Sequence, residues 1–584
     1  MIPVRAYWRL LRHYLRPLRG RVVVLTILLM TGIAFQVINP QLIRAFIDRA
    51  LGGGEVSGLL GLAGGFMALA VGYQLLNIAA TYVAEQVGWS ATNELRADLA
   101  AHVLDLDLSF HKTTTPGELI ERIDGDVTTL SNFFSKAVIH VFGNTLLIAA
   151  VVALMWREHV MLGGGMTIFA GAALFGMVRL QAIAIPWWQS LRAKRAEFFG
   201  FLGEQLGGTE DIRANGAVPY MMHRFTLIHR EWLPREVRGR MGFGLLWGTS
   251  IAVYVAGIAL VFGMGSRLLG EGAISVGSVY LVYHYMDMIR HPIEQIRTQM
   301  EDLQKAGAGI NRVQELFAAA TKLPEDGTES LPRGPLSVSI EGVAFAYFDD
   351  GSDGDTVLAE IDVSVAAGRI VGILGRTGSG KSTLARLITR LYDPTDGQVI
   401  IGGVDLRTVS RENRQQRVAM VTQEVQLFRA SVRENLTFFD DTVDDARLME
   451  VLGDLGIADW VTGLPQGLDT MLESGSGGLS AGQAQLLAFA RVFLGDPGLV
   501  IMDEASSRLD PATEGLIERA IAKLLTDRTG LIIAHRLATV ERADDILILD
   551  DGRVVEFGER IALAADPSSR FATLLRSGME DLLA

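Results

Sequence analysis

Five stretches of this chain, Val22–Ile43, Val56–Ala84, Ala137–Trp156, His159–Val178 and Met241–Ser266, contain no Asp, Glu, Lys or Arg. Each reaches or exceeds the roughly 20 residues that a helix needs to cross hydrocarbon. In lipid the backbone has no water to bond to, so such stretches fold as spanning helices. A sixth apolar stretch, Gly272 to Met286, is shorter and stops at Asp287. We read it as a sixth span, because everything after Leu331 reads as a soluble domain and six crossings return the chain to its starting side. That side is the cytoplasm: Arg5, Arg9, Arg12, Arg16, Arg19 and Arg21 precede the first span with no acid among them, the bias of cytoplasmic segments. The run after Arg21 is too long for a signal-peptide core. Arg5, Trp8, Arg9 and Arg12 also recur at helical spacing, so the start is expected to lie along the membrane surface.

The connections between spans are unequal. Arg44–Glu55 and Arg157–Glu158 read as tight outer turns, whereas Glu85–Lys136 and Arg179–Arg240 are long and charged and read as helices that continue into the cytoplasm. Beyond Lys322–Pro335, a Pro- and Gly-bearing linker, short β-rich runs alternate with helical stretches. These are Ser337–Ile340, Ile370–Leu374, Arg417–Thr422, Leu499–Met502, Gly530–Ile533 and Asp545–Leu549, a mostly parallel α/β pattern. The expected fold is therefore an α-helical membrane bundle of six spans with long cytoplasmic extensions (1–320, the sixth over 272–292), a linker (321–336) and an α/β nucleotide-binding domain (337–584).

Composition removes several function classes. With no cysteine there is no disulfide, thiolate metal site or thiol nucleophile. Lys and Arg total 53 against 66 Asp and Glu, net −13, and phosphate-backbone binding needs the opposite surplus, so no nucleic-acid partner is expected.

Gly375-Arg376-Thr377-Gly378-Ser379-Gly380-Lys381-Ser382-Thr383 follows the apolar run Ile370–Leu374 and precedes an amphipathic stretch. Strand, Gly-rich loop and helix are the context in which backbone N–H groups cradle phosphates, Lys381 reaches the β and γ oxygens and Ser382 holds magnesium. In Leu499-Val500-Ile501-Met502-Asp503-Glu504 two acids stand where a buried strand ends: Asp503 on the metal side, and Glu504, pointing the other way, as the base for attacking water. ATP and Mg2+ are the ligands this pattern takes.

Between these elements lies Leu479-Ser480-Ala481-Gly482-Gln483, and with it the whole chain resembles the ATP-binding cassette (ABC) family, as a half-transporter of the exporter type. The resemblance implies that Tyr347 stacks on adenine, that Gln423 links metal and water to the membrane domain, and that His535 contacts the γ-phosphate. It also implies that Ser480, Gly482 and Gln483 complete a partner's ATP site, with Asp510 in the loop joining the two sites. Phe110-His111 through Thr115-Pro116-Gly117-Glu118-Leu119, with Arg122 and Asp126-Val127, is similar to the family's first cytoplasmic loop, and Glu204–Asn215 to its second. Those loops would end in coupling helices. The chain departs from the family pattern at Ala481, where glycine is usual, at Ala484, where a basic residue is usual, at Arg508, where a small one is usual, and across Ser474–Gly478. An intact ATP site beside an altered partner-facing surface favours a paralogous heterodimer over a homodimer.

The function implied is an ATP-driven exporter in the cytoplasmic membrane, with the amino end and nucleotide-binding domain cytoplasmic. Its cargo would be a small molecule, lipid or peptide. An importer on the same fold and an ATP-gated regulator or channel subunit remain alternatives. Tyr280, His284, Asp287, His291 and Glu294 fall at helical steps of 4, 3, 4 and 3. A polar stripe at membrane depth is costly unless it faces a wet cavity or a partner, so this stripe is the candidate lining of the substrate path. A surface pairing of Asp287 with Arg290, or a position below the lipid, are the competing readings.

Overall fold

The computed structural model describes residues 12–136, 141–347, 356–473, 479–503, 511–534 and 540–576. It divides into two compact units: Met1–Leu104 with Gly117–Ala319, and Asp105–Pro116 with Ala320–Ala584.

The first unit is all helix. Its long elements are α1 (Arg19–Leu51), α2 (Val56–Asp105, which ends one residue into the second unit), α6 (Asn144–Glu158), α7 (Val160–Gly207), α9 (Val218–Gly270) and α10 (Val276–Ala318). Shorter ones are α4 (Pro116–Ile120), a π-helical stretch at Glu121–Asp126, α5 (Val127–Lys136) and α8 (Thr209–Ala214). Among the described residues, five helices are long and apolar enough to cross a membrane: α1, α2, α7, α9 and the one spanning Val141–Glu158. The sixth span expected from the sequence falls in α10, which is not among the five; its amino half packs Leu281, Val282, Tyr285, Met286 and Ile289 into a core with Leu147 and Val151 of α6, Leu162 and Met166 of α7 and Val261 of α9. Close approach here depends on a glycine. A Cβ on Gly257 of α9 would lie 2.0 Å from Met286 Cε and 2.7 Å from Phe169 Cζ.

Several boundaries differ from the sequence reading; the turn read at Arg157–Glu158 is the single residue His159, because α6 runs to Glu158 and α7 begins at Val160. The outer turn after the first span is Gly52–Glu55 rather than Arg44–Glu55, because α1 runs on to Leu51. Its last turns are held by side-chain contacts: Arg44 pairs with Glu158 at the end of α6, and Asp48 accepts from Ser275 Oγ at 2.7 Å and Gly277 N at 2.9 Å. The same Ser275 caps α10 by accepting from Ser278 N, and Gly272 has φ +69°, so the last helix begins at Val276 rather than Gly272. Deeper in the bundle, Tyr285 Oη donates to Val37 O at 2.7 Å and accepts from Gln41 Nε2 at 3.1 Å.

The second unit contains α3 (Leu108–Thr113) and two sheets. Strands β1 (Val338–Ala346), β2 (Thr356–Val365), β4 (Asp396–Ile401) and β5 (Val404–Asp405) form an antiparallel sheet in the order β2-β1-β4-β5. The second sheet has the order β10-β9-β3-β8-β7-β6, built from β3 (Ile370–Leu374), β6 (Val418–Val421), β7 (Leu499–Asp503), β8 (Thr529–Ile533), β9 (Asp545–Asp550) and β10 (Arg553–Glu559). All its pairings are parallel except β10 with β9. Strand β7 shows why a parallel strand reads as a continuous apolar run: Leu499 and Ile501 enter the core shared with the first sheet, while Val500 and Met502 enter the core under the helices.

In the first unit, Arg312 of α10 donates through Nε and Nη2 to both carboxylate oxygens of Asp126. The Asp126 side chain is only 5% exposed. Removing the guanidinium strands a buried carboxylate, at a cost of roughly 1–3 kcal/mol or more. Arg312→Met is therefore expected to lower the melting temperature of the detergent-solubilised chain clearly more than Arg240→Met, whose side chain is 80% exposed in its pair with Glu236. Equal shifts would show that the Asp126 pair does not hold this part of the fold.

Candidate functional site

Across the parallel sheet, Ile373 of β3 pairs with Ile533 of β8, and Ile533 pairs with Asp503 of β7. Val421 of β6 lies beside Met502. The carboxyl ends of four strands are thus level, and the chain leaves them in one direction. Gly375 follows β3, Glu504 follows β7, Ala534 and His535 follow β8, and Thr422 and Gln423 follow β6. Such an edge is where open α/β sheets bind ligands. Asp503 is half-buried at its strand end, and Gln423 is exposed. Glu504, Asp510, His535, Arg508 and the Ser474–Gly478 stretch lie outside the described residues, as do residues 1–11 of the arginine-rich start and the side chain of Glu294.

The turn from β3 into α11 (Lys381–Ile388) needs its glycines. Gly375, Gly378 and Gly380 have φ of +150°, +86° and +98°, backbone that side chains disfavour. A Cβ on Gly375 would lie 2.1 Å from Leu549 O, and one on Gly380 would lie 2.5 Å from Leu358 Cδ2. Lys381 is 6% exposed, and its ammonium folds over the loop to donate to Gly375 O at 2.6 Å and Arg376 O at 2.8 Å. Ser379 Oγ is buried with no hydrogen-bond partner among the described residues. A buried cation, an unsatisfied hydroxyl and a cradle that a Cβ would fill suit a phosphate group with a bound cation. Arg376 and Thr377 are exposed in the loop, and Ser382 and Thr383 enter the first turn of α11.

Tyr347, just past β1, is held on several sides. Its hydroxyl lies 3.1 Å from Thr383 Oγ1 and accepts from Arg386 Nη1 at 3.2 Å. Phe345 and Tyr392 meet its ring edge to face, with centroids 4.8 and 5.4 Å away. The Lys112 ammonium sits 4.1 Å from the ring centroid. Sequence reasoning missed Phe345, Tyr392 and Lys112. Nothing local marks Lys112, which comes from a segment more than two hundred residues upstream.

That segment is α3. Its cap Asp107 accepts from Ser109 N at 2.9 Å and Phe110 N at 3.3 Å, and the same carboxylate accepts from Lys322 N and Thr321 Oγ1 in the linker. Asp105 pairs with Arg411, which also pairs with Glu325. Burial pushes the Asp107 carboxyl up, but the hydrogen bonds from Ser109, Lys322 and Phe110 outweigh it and hold the group below its ordinary value.

Ser480 caps α12 (Ala481–Gly495) in a capping box. Its hydroxyl accepts from Gln483 N at 3.2 Å, and Gln483 Oε1 accepts from Ser480 N at 3.0 Å. Ser480 and Ala481 are exposed, and Gly482 and Ala484 are buried. In the first unit, Tyr280, His284, Asp287 and His291 lie off the packed face of α10: the first two are half-buried, the last two exposed. Tyr280 and His284 stack with centroids 6.0 Å apart, and Arg290 lies over the Tyr254 ring at 4.6 Å.

The profile of the ABC transporter transmembrane region matches residues 22–290, and that of the ABC transporter matches residues 358–507. A fatty acid ABC transporter ATP-binding/permease protein of Mycobacterium bovis is 30% identical over 477 residues, 81% of this chain and 74% of that protein. An ATP-dependent lipid A-core flippase of Pseudoalteromonas translucida is 27% identical over 539 residues, 90% of each. Among solved structures, a bacterial Atm1-family ABC exporter with ATP bound is similar with a TM-score of 0.77 and 25% identity, covering 96% of this chain and 98% of that one.

Because its folded-state pKa is depressed, Asp107 contributes stability that is complete above the ordinary carboxylate range and is lost as pH falls through the folded value. The melting-temperature gap between wild type and Asp107→Asn is expected to be widest near neutral pH and to close below about pH 4. A gap that widens on acidification would contradict the assignment. In the loop, Gly375→Ala is expected to weaken nucleotide binding by at least about tenfold, since both the φ and the 2.1 Å approach to Leu549 O oppose a methyl group. Binding of a fluorescent ADP analogue checks it.

Proposed function

The chain belongs to the ABC transporters, as an exporter-type half-transporter that fuses a multi-pass membrane domain to one cytoplasmic nucleotide-binding domain, and from that premise we propose how its own residues couple ATP hydrolysis to export. The observation that carries the reading is the level strand edge, at which the phosphate loop, Asp503 and Gln423 follow β3, β7 and β6.

In this reading Lys381 turns from the loop carbonyls to the β and γ oxygens, and the N–H groups after Gly375 hold the β-phosphate. Ser382, Asp503 and Gln423 would hold magnesium, which when bound neutralises charge developing on the transferred phosphoryl group. Glu504 orients the attacking water and accepts its proton, and His535 donates to the γ-phosphate. Tyr347 stacks on the base. Glu504→Gln is expected to keep nucleotide binding and cut steady-state turnover by orders of magnitude, because an amide does not accept the proton. Near-normal ATPase in that variant, with a partner site that is inactive or likewise altered, would remove Glu504 as the base.

ABC half-transporters work as dimers, so Ser480, Gly482 and Gln483 act on the partner's nucleotide, with Asp510 in the connecting loop. The departures at Ala481, Ala484 and Arg508 support a paralogous partner. The chain expressed alone is then expected to show weak ATPase, and a stable homodimer with stimulated ATPase would refute this pairing.

The cargo path in this reading runs along Tyr280, His284, Asp287 and His291, supported by their place off the packed face of α10. Asp287→Ala and His284→Ala are expected to change transport of a responding substrate in sealed vesicles while leaving basal ATPase within about threefold, since they lie in a different unit from the nucleotide chemistry. Unaltered transport kinetics in both variants would take the stripe out of the path.

A further inference from the structure

We propose that Lys112 of α3 is a positioning residue for the nucleotide base, acting through Tyr347. This rests on the reading that Tyr347 stacks on the base, and extends it to a residue from the loop between the second and third spans.

An aromatic ring offers two faces, an edge and, in tyrosine, a hydroxyl. Here the hydroxyl is fixed by Thr383 and Arg386, and Phe345 and Tyr392 contact the ring at 87°. One face carries the Lys112 ammonium, 4.1 Å from the centroid. A base stacked on Tyr347 would meet the face away from Lys112. A cation over an aromatic face is attracted by the negative quadrupole of the ring, so Lys112 holds Tyr347 in one orientation. It also draws π density to its own side. The opposite face becomes less negative and repels the π cloud of a stacked purine less. Both effects favour stacking, and neither touches the phosphates.

The lysine is itself well placed for this. Residue 112 lies in the last turn of α3, whose first turn is fixed by Asp107 to Lys322 N and Thr321 Oγ1, with the preceding Asp105 paired to Arg411. Anything that shifts α3 on these attachments moves the ammonium off the ring. Base affinity would then fall while the phosphate cradle stays as it is.

The test uses full-length protein in detergent or nanodiscs and two ligands that require no hydrolysis: ADP, which carries the base, and pyrophosphate, which lacks it. Lys112→Met keeps the aliphatic stem and removes the charge. It is expected to weaken ADP binding about threefold to tenfold and to leave pyrophosphate binding unchanged, with Lys112→Arg restoring ADP affinity. In a Tyr347→Ala background, Lys112→Met should have no further effect on ADP. Weakening of ADP and pyrophosphate alike would show a general structural effect and overturn the proposal. If Tyr347→Ala weakens ADP but Lys112→Met does not, base stacking stands and the role of Lys112 falls. If Tyr347→Ala leaves ADP binding intact, the stacking reading fails and takes this proposal with it.

Discussion

Ile373, Ile533 and Asp503 lie side by side across three parallel strands, with Val421 one step behind on the fourth, and the chemistry of the second unit depends on that register. Parallel pairing leaves no freedom in where the strand ends fall once the buried faces are fixed. A one-residue slip of β7 would send Val500 and Met502 into the core meant for Leu499 and Ile501. The same slip would withdraw Asp503 from the edge. Burial on both faces therefore fixes where Asp503 falls at the edge as well as the fold, and strand ends far apart in sequence come level without any contact among them being required.

Much of this was legible from the sequence because each signal was strong on its own scale. Apolar length marked five spans, and strand, Gly-rich loop and helix marked the phosphate site. The sixth span is the instructive case. Its apolar run is short because Asp287 interrupts it, yet Leu281, Tyr285 and Ile289 on the other side of the helix are fully buried, so one helix satisfies a packed core and a polar stripe at once. What escaped was long-range. The antiparallel strand β2 alternates exposed with buried positions over its second half and β10 alternates exposed with half-buried ones, and both lack the apolar runs that revealed the parallel strands. The outer turn shrank because Arg44 and Asp48, read as loop charges, have partners at Glu158, Ser275 and Gly277.

The aromatic surroundings of Tyr347 belong to the same class of omission. Phe345 is two residues away and Tyr392 forty-five, and neither spacing carries a signal. Their rings stand perpendicular to it, so its orientation is a property of tertiary packing rather than of the motif around it. A motif names the residue that meets the base; the direction in which it presents its face is decided by side chains the motif does not contain.

The chain leaves the first unit at Leu104, contributes Asp105–Pro116 to the second and returns at Gly117. Short helices are marginal in isolation, and α3 is only six residues long, so its structure has to come from what it touches. Asp107 supplies that. A single carboxylate caps the helix through Ser109 and Phe110 and holds the linker at Thr321 and Lys322. The start of α3 and the linker at Thr321 and Lys322 are thereby joined through one side chain. With these four donors on Asp107, α3 is held where Lys112 lies over the Tyr347 ring.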